Sequence, residues 1–389
     1  MNIPRRAAQA PRTPQLPSVS PSFPRARRFR LAITLPPWYD VPPRAYGGIE
    51  SLIADLTDAL IERGHDVVLV GAGTNGTHAR FLRTYEEPPS QRLGQALPEV
   101  LQAAWAGRYL DDLDVDVVHD NTLAGPLTAR GRAAPTVLTA HGPCEGEMVD
   151  YYRLLCPDVH MVAISRAQRR LARDLNWVGT VHNAIRVASF PFSRRKDDYV
   201  LFIGRFSAEK SPHLAIDAAR RSGRPIVLAG KLQEPEEREY FDAEVRPRLG
   251  SDTEFLGEVD TAGKQELYAA AHCLVFPIQW EEPFGLVMIE AMACGTPVVA
   301  LRRGSVPEIV VPDVTGFVCD APAELPAAIN EAGRLDAADC RRHVARHFDV
   351  AVMAAGYERV YAELVRNRPN GTATARPGRS WTVGLSATL

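Results

Sequence analysis

The segment CLVFPIQWEEPFGLVMIEAMACGTPVVALRRGSVPEIV, residues 273–310, decides how the rest of the chain is read. Cys273 to Ile278 is an apolar run closed by Pro277, the mark of a short parallel strand buried on both faces. A polar turn follows, from Gln279 to Pro283. Phe284 to Cys294 is apolar on every side, which predicts a helix sunk in the body of a domain. Gly295 is its C-terminal stop, Pro297 bars continuation, and Val298 to Leu301 is the next strand.

Glu290 is the one carboxylate inside that apolar helix, and Glu282 stands at its entrance, with seven residues between them in the pattern Glu-x7-Glu. A carboxylate among apolar neighbours costs several kcal/mol unless partners compensate it. One reading ties Glu290 to an arginine and leaves Glu282 as an ordinary acidic residue near a helix start. The other turns both carboxylates to one cleft at the carboxyl end of a strand, where open α/β sheets bind ligands. The free N–H groups of Phe284, Gly285 and Leu286 would point there too, and a helix N-terminus attracts phosphate. Gly285 lets a ligand approach the backbone closely. We favour the second reading.

Outward from this segment, strands alternate with helices. Leu31 to Leu35 is a strand, followed by the loop PPWYDVPPRAYGG and a helix with apolar residues at 49, 52, 53, 56 and 60 that stops at Gly64. Further strands fall at 66–70, 115–119, 136–140 and 160–164. Gly47-Gly48 is either a plain tight turn or a backbone cradle for phosphate, and it is not the dinucleotide fingerprint. His141 and Gly142 follow the 136–140 strand directly. That position makes His141 either a structural hydrogen-bonder or a group of the site. Residues 184–198 are polar and irregular, and the pattern then restarts at Tyr199, with strands near 226–229, 253–256, 273–277, 298–301 and 316–319. Arg205 and Lys210 follow the first of these new strands, as a surface charge pair or as a fork and a point charge for a diphosphate.

Length and composition set the limits. A chain of 389 residues exceeds one ordinary core, so two domains are expected. Residues 1–30 hold seven Arg and no acid, and four more Arg follow Glu363. Setting these eleven aside leaves 34 basic against 47 acidic residues, a net of −13 for the middle of the chain. A body that acidic argues against a nucleic-acid partner. The six cysteines (144, 156, 273, 294, 319 and 340) are scattered, as in a reduced, cytoplasmic protein. No apolar run nears the roughly 20 residues of a transmembrane segment. No Asp-x-Asp pair or His/Cys cluster argues for a metal, and no cofactor is expected.

Taken in order, Gly47-Gly48, His141-Gly142, Gly204-Arg205-x4-Lys210 and Glu282-Pro-Phe-Gly-Leu-x3-Glu290 resemble the retaining family 4 glycosyltransferases of the GT-B fold, over about residues 30–365. The resemblance implies an α/β fold of two facing Rossmann-like domains with parallel sheets and a C-terminal helix crossing back to the first. The expected division is a disordered Arg/Pro-rich extension over 1–29, an acceptor domain over 30–185 and a nucleotide-sugar domain over 186–345. A crossing helix over 346–366 and a disordered tail over 367–389 complete it. By the same resemblance Arg205 and Lys210 bind the donor diphosphate, helped by Gly47, Gly48 and the backbone at Phe284, Gly285 and Leu286. Glu290 takes the ribose, Glu282 the hydroxyls of the transferred sugar, and His141 lies near the reacting carbon. The catalytic set so implied is His141, Glu282, Arg205 and Lys210, with no metal. The partners implied are a nucleotide-sugar donor, UDP-sugar before GDP-sugar and UDP-glucose by its Tyr-Gly-Gly-Ile-Glu loop, and a small-molecule, lipid or glycan acceptor. Two departures stand out: Asn183-Ala184-Ile185-Arg186 replaces the usual Asn-Gly-hydrophobic-Asp, and Lys231 replaces a small residue after Gly230. A nucleotide-sugar epimerase of the same fold and a silent nucleotide-sugar-binding protein are the competing readings.

Overall fold

A computed structural model describes residues 27–43 and 47–367; the expectations for the N-terminal extension before Arg27, for loop residues 44–46 and for the tail after Asn367 fall outside them. Two parallel sheets form the body, and the valine-, isoleucine- and leucine-rich runs of the sequence are their inner strands. The first sheet holds β1 (Arg30–Thr34), β2 (Asp66–Gly71), β3 (Arg80–Arg83), β4 (Val117–Asp120), β5 (Thr136–Ala140), β6 (Val159–Ala163) and β7 (Trp177–Thr180). Their spatial order is 3-2-1-4-5-6-7, and every pairing is parallel. The connecting helices are α1 (Gly48–Glu62), α2 (Ala96–Asp111), α3 (Glu147–Leu155) and α4 (Arg166–Leu171).

The second sheet holds β8 (Val200–Ile203), β9 (Ile226–Ala229), β10 (Thr253–Gly257), β11 (Cys273–Phe276), β12 (Val298–Leu301) and β13 (Gly316–Cys319). Its order is 10-9-8-11-12-13, again all parallel. Around it lie α5 (Pro212–Arg221), α6 (Pro235–Tyr240), α7 (Thr261–Ala270), α8 (Leu286–Ala293), α9 (Val306–Ile309), α10 (Leu325–Ala332) and α11 (Ala337–His347). Each sheet reverses its strand order once, between β1 and β4 and between β8 and β11. A crevice opens beyond the carboxyl ends of the strands at such a reversal.

The last helix, α12 (Val350–Arg366), returns to the first sheet. Its Tyr357 and Tyr361 are fully buried there, with hydroxyls on Thr139 Oγ1 at 2.9 Å and His119 Nδ1 at 2.8 Å. Glu358 accepts from Arg63 Nε at 2.7 Å and lies 2.8 Å from His65 Nε2, which ties α12 to the end of α1. The two segments that pass between the sheets run side by side: Ile185 N–H donates to Phe348, and Val350 N–H donates back to Ile185.

The structure differs from the sequence expectations at a few boundaries. The strand expected at 115–119 begins at Val117, and the helix expected from Phe284 begins at Leu286, because Gly285 takes a left-handed φ of 83° ahead of it. Strands β3 (RFLR) and β7 (WVGT) were not expected. Both are edge strands, half-buried along their length, and so lack the continuous apolar run that marks an inner strand.

Candidate active site

The residues singled out by the sequence lie at the carboxyl ends of the strands. Arg205 and Lys210 follow β8, Glu282 follows β11, Gly47 and Gly48 open α1 after β1, and His141 follows β5. The two sheets meet here: a Cβ added to Gly48 would sit 3.7 Å from Leu286 Cδ1 at the start of α8. The glycine turn of the first sheet therefore faces the helix N-terminus of the second.

Lys210 Nζ and Glu282 Oε2 are in direct ionic contact, with side chains only 16% and 10% exposed. Trp280 braces the pair. Its indole N–H donates to the same Glu282 oxygen at 3.0 Å, and the Lys210 ammonium lies 4.9 Å from the indole centre and 5.8 Å from that of Phe276. The turn that carries Glu282 is held from behind. Ser305 N–H donates to the Glu282 carbonyl at 3.0 Å, Ser305 Oγ to the Phe284 carbonyl at 2.6 Å, and Gly304 N–H to Glu281 Oε2 at 2.9 Å. Gln279 N–H reaches the Glu209 carbonyl at 2.8 Å and so fastens the β11 turn to the β8 turn. Glycine is required at one further point: Gly230, after β9, has φ 151°, and a Cβ there would fall 1.8 Å from the Gly204 carbonyl oxygen.

Glu290 is not bound to an arginine. It accepts from the buried Tyr268 hydroxyl at 2.8 Å and faces Lys264 Nζ at 3.6 Å, both on α7. Arg205 turns to Glu209 at 3.6 Å and stays partly exposed. His141 Nε2 is 2.9 Å from Asn121 Oδ1, and Asn121 Nδ2 donates to the Thr34 carbonyl at 3.1 Å. A carbonyl only accepts, so Thr34 fixes the amide orientation, and the proton of His141 must sit on Nε2. Burial lowers the His141 pKa to about 4, so the ring is neutral near pH 7.

Residues 46–189 match the family described as Glycosyltransferase Family 4, and residues 188–342 match the family described as Glycosyl transferases group 1. The chain is a family 4 glycosyltransferase. This glycosyltransferase is 26% identical to a glycogen synthase of Mycobacterium tuberculosis, over 84% of its own length and 94% of the relative's. Among solved structures it resembles AviGT4, a glycosyltransferase involved in avilamycin A biosynthesis, with 27% identity, a TM-score of 0.67 and coverage of 87% and 98% of the two chains. HepE of Anabaena, solved in complex with UDP-glucose, shares the fold at 19% identity and a TM-score of 0.66, with coverage of 87% and 100%. The architecture is GT-B, two Rossmann-like domains with the crossing helix α12.

Four residues in and around this candidate site went unread in the sequence. Trp280 lies two positions before Glu282, and an indole beside a buried carboxylate was the available signal. Tyr268 and Asn121 carried no local signal, since each meets its partner only across the fold. Glu308 is the fourth. It accepts from the Arg166 and Ala167 amides at 2.9 and 2.6 Å and pairs with His182 at 3.1 Å, joining α9 of the second domain to α4 and the end of β7 in the first. A cavity of about 460 Å³ between Ala188–Pro191 and α7 is lined by none of the motif residues. Among the described residues, no group of three or more His, Cys, Asp or Glu is placed to hold a metal ion.

Proposed function

We propose that this glycosyltransferase moves a hexose from a nucleoside diphosphate sugar, UDP-glucose, to an acceptor held on the first domain, with retention of configuration and without a metal. The observation that carries this reading is the Lys210–Glu282 contact braced by Trp280 at the carboxyl end of β11, across from Gly48. It puts a cation for phosphate and a carboxylate for sugar hydroxyls in one half-buried place. Breaking a sugar–phosphate bond builds positive charge on the sugar ring and negative charge on the leaving diphosphate. Arg205, Lys210 and the backbone amides at the start of α8 stabilise the leaving charge. Glu282 holds the transferred sugar, Glu290 the ribose, and neutral His141 lies against the sugar near the reacting carbon. In the step itself the acceptor oxygen bonds to the anomeric carbon as the carbon–phosphate oxygen bond breaks on the same face. The departing phosphate oxygen takes the acceptor's proton.

The test separates the two glutamates. Glu290→Ala should weaken UDP and UDP-glucose alike, since both carry the ribose, whereas Glu282→Ala should keep UDP and lose turnover. A charged hydrogen bond is worth about 1.5–3 kcal/mol, so each loss should be about tenfold or more. Calorimetric titration of UDP into both variants, with circular dichroism to confirm folding, reads this directly. The reverse pattern exchanges the two roles, and two variants that lose nothing remove α8 from the donor site altogether.

A further inference from the structure

His141 is held by its backbone from one element and by its ring from another. The backbone hold comes from α4. Gln168 Nε2 donates at 2.7 Å to the carbonyls of both Ala140 and Gly142, on either side of His141, and Gln168 Oε1 is itself fixed by the Ile164 N–H at 2.9 Å. The ring hold follows from the period of two along a strand, which sets alternate side chains on one face. His119 and Asn121 at the tip of β4 thus stand beside Thr139 and His141 at the tip of β5, and two rungs join them. The inner rung is His119 Nε2 to Thr139 Oγ1 at 2.7 Å, and the outer is His141 Nε2 to Asn121 Oδ1 at 2.9 Å. The α12 hydroxyls of Tyr361 and Tyr357 anchor the inner rung. The outer rung is anchored by β1, because Asn121 donates both its backbone N–H and its Nδ2 to the Thr34 carbonyl, each at 3.1 Å.

Asn121 is 5% exposed, and with Nδ2 given to Thr34 its Oδ1 faces the ring only as an acceptor. The His141 proton therefore sits on Nε2, and Nδ1 of the neutral ring keeps its lone pair. The groups around the ring do not favour a charge on it. His119, behind it on β4, is kept neutral by burial, which takes it down to about 3, and the charges of the two rings would repel. Asp120 is occupied by Thr122 at 2.9 and 2.7 Å, and burial keeps the hydroxyls of Tyr357 and Tyr361 protonated. An imidazole so fixed offers an acceptor, and the hydroxyls of a hexose are donors.

We propose that Asn121 is a positioning residue for glycosyl transfer: it holds His141 in the one tautomer whose Nδ1 accepts a hydrogen bond from a hydroxyl of the transferred sugar. The inference rests on the function proposed above, since it takes the sugar to lie against His141. An amide that merely filled space would leave the tautomer free, and the test turns on that difference.

Two-bond proton–nitrogen NMR correlations of the full chain, labelled at histidine nitrogens, read the tautomer without any ligand. In the wild type His141 should carry its proton on Nε2 from about pH 6 to 8, and Asn121→Ala should lose that single tautomer. Calorimetric titration of UDP and UDP-glucose then isolates the sugar. Asn121→Ala should weaken UDP-glucose about fivefold, the value of one neutral hydrogen bond, and leave UDP unchanged. Asn121→Asp sets an anion against Nε2–H, which favours the imidazolium and removes the lone pair. Its UDP-glucose affinity, relative to the wild type at the same pH, should therefore fall about fivefold between about pH 8 and 6, with the same ratio for UDP level. Circular dichroism confirms folding, and Asn121→Ser takes the place of the alanine variant if that does not fold. A wild-type proton on Nδ1, a wild-type ring that titrates between about pH 6 and 8, or an unchanged tautomer in Asn121→Ala would overturn the proposal. So would equal losses of UDP and UDP-glucose, or a level UDP-glucose ratio in Asn121→Asp. If the wild type binds neither UDP nor UDP-glucose, the donor assignment has failed instead, and the tautomer stands or falls by the NMR alone.

Discussion

Replacing Glu308 by alanine tests how the two domains are fastened. The N-terminus of α4 is fully capped: the Ser165 hydroxyl accepts from Gln168 N–H at 3.0 Å, and the two amides before it, Arg166 and Ala167, are taken by the Glu308 carboxylate. The carboxylate comes from α9 of the other domain and also holds His182, with its side chain 12% exposed. Helix N-terminal amides without a partner are costly to bury, and losing a side-chain cap costs about 0.5–2 kcal/mol. A charge-assisted bond is worth about 1.5–3 kcal/mol, so removing both amide bonds and the His182 contact should cost roughly 2–4 kcal/mol. Burial raises the Glu308 pKa, but His182 and the two amides outweigh it, and the net shift is downward from 4.5. A carboxylate depressed in the folded state gives its full stabilisation above its unfolded pKa and loses it as pH falls through the folded one. The clamp should therefore be at full strength near neutral pH and fade below about pH 4.5. Amide hydrogen exchange reads it residue by residue. Glu308→Ala should speed exchange at Arg166 and Ala167 at least about tenfold near neutral pH, with Glu308→Gln intermediate. Unchanged protection at these two amides would refute the clamp, even if global stability fell.

Glu50→Gln carries a pH signature of the opposite sign. The folded carboxyl is raised from 4.5 to about 7, so wild-type stability is lost as pH rises between those values, by roughly 3 kcal/mol in all. The amide should thus stabilise the protein by up to about that much at pH 8 and hardly at all below pH 4, in denaturant titrations at the two pH values; an equal offset at both would contradict the buried charge. Glycosyl transfer should survive an excess of EDTA, and complete loss restored by magnesium or manganese would remove the metal-free assignment of Arg205 and Lys210.

The inner strands were legible because each is a continuous apolar run, and the helix α1 because its apolar residues recur at helical spacing. Leu52, Ile53, Leu56 and Leu60 are indeed its buried face. Edge strands β3 and β7 were not legible, since a half-buried strand keeps polar side chains on its open side. The same division holds in the candidate site. Lys210 and Glu282 could be placed at strand tips from sequence, but their ionic contact spans 72 residues, and nothing local predicts it. Glu290 was read as needing a partner, which it has. That the partners are Tyr268 and Lys264 of the preceding helix depends on how α7 and α8 pack, and packing leaves no trace in either segment alone.

The Lys210–Glu282 contact also bears on how a donor enters and a product leaves. Neither charge is well solvated, and removing one partner of such a pair leaves the other buried and uncompensated, at about 3–5 kcal/mol. A ligand that separates them must answer both at once. An intact nucleoside diphosphate sugar can do so, with phosphate for Lys210 and sugar hydroxyls for Glu282. Once the sugar has moved, the diphosphate answers only Lys210, and Glu282 is left to draw the lysine back. The empty-site pairing therefore competes with the product more than with the substrate, which favours release after transfer. It follows that Glu282→Ala should do more than spare UDP affinity: with its competitor gone, Lys210 is free for phosphate, and UDP should bind more tightly to the variant than to the wild type. Weaker UDP binding in a folded Glu282→Ala protein would mean that the carboxylate positions Lys210 for phosphate instead of competing for it.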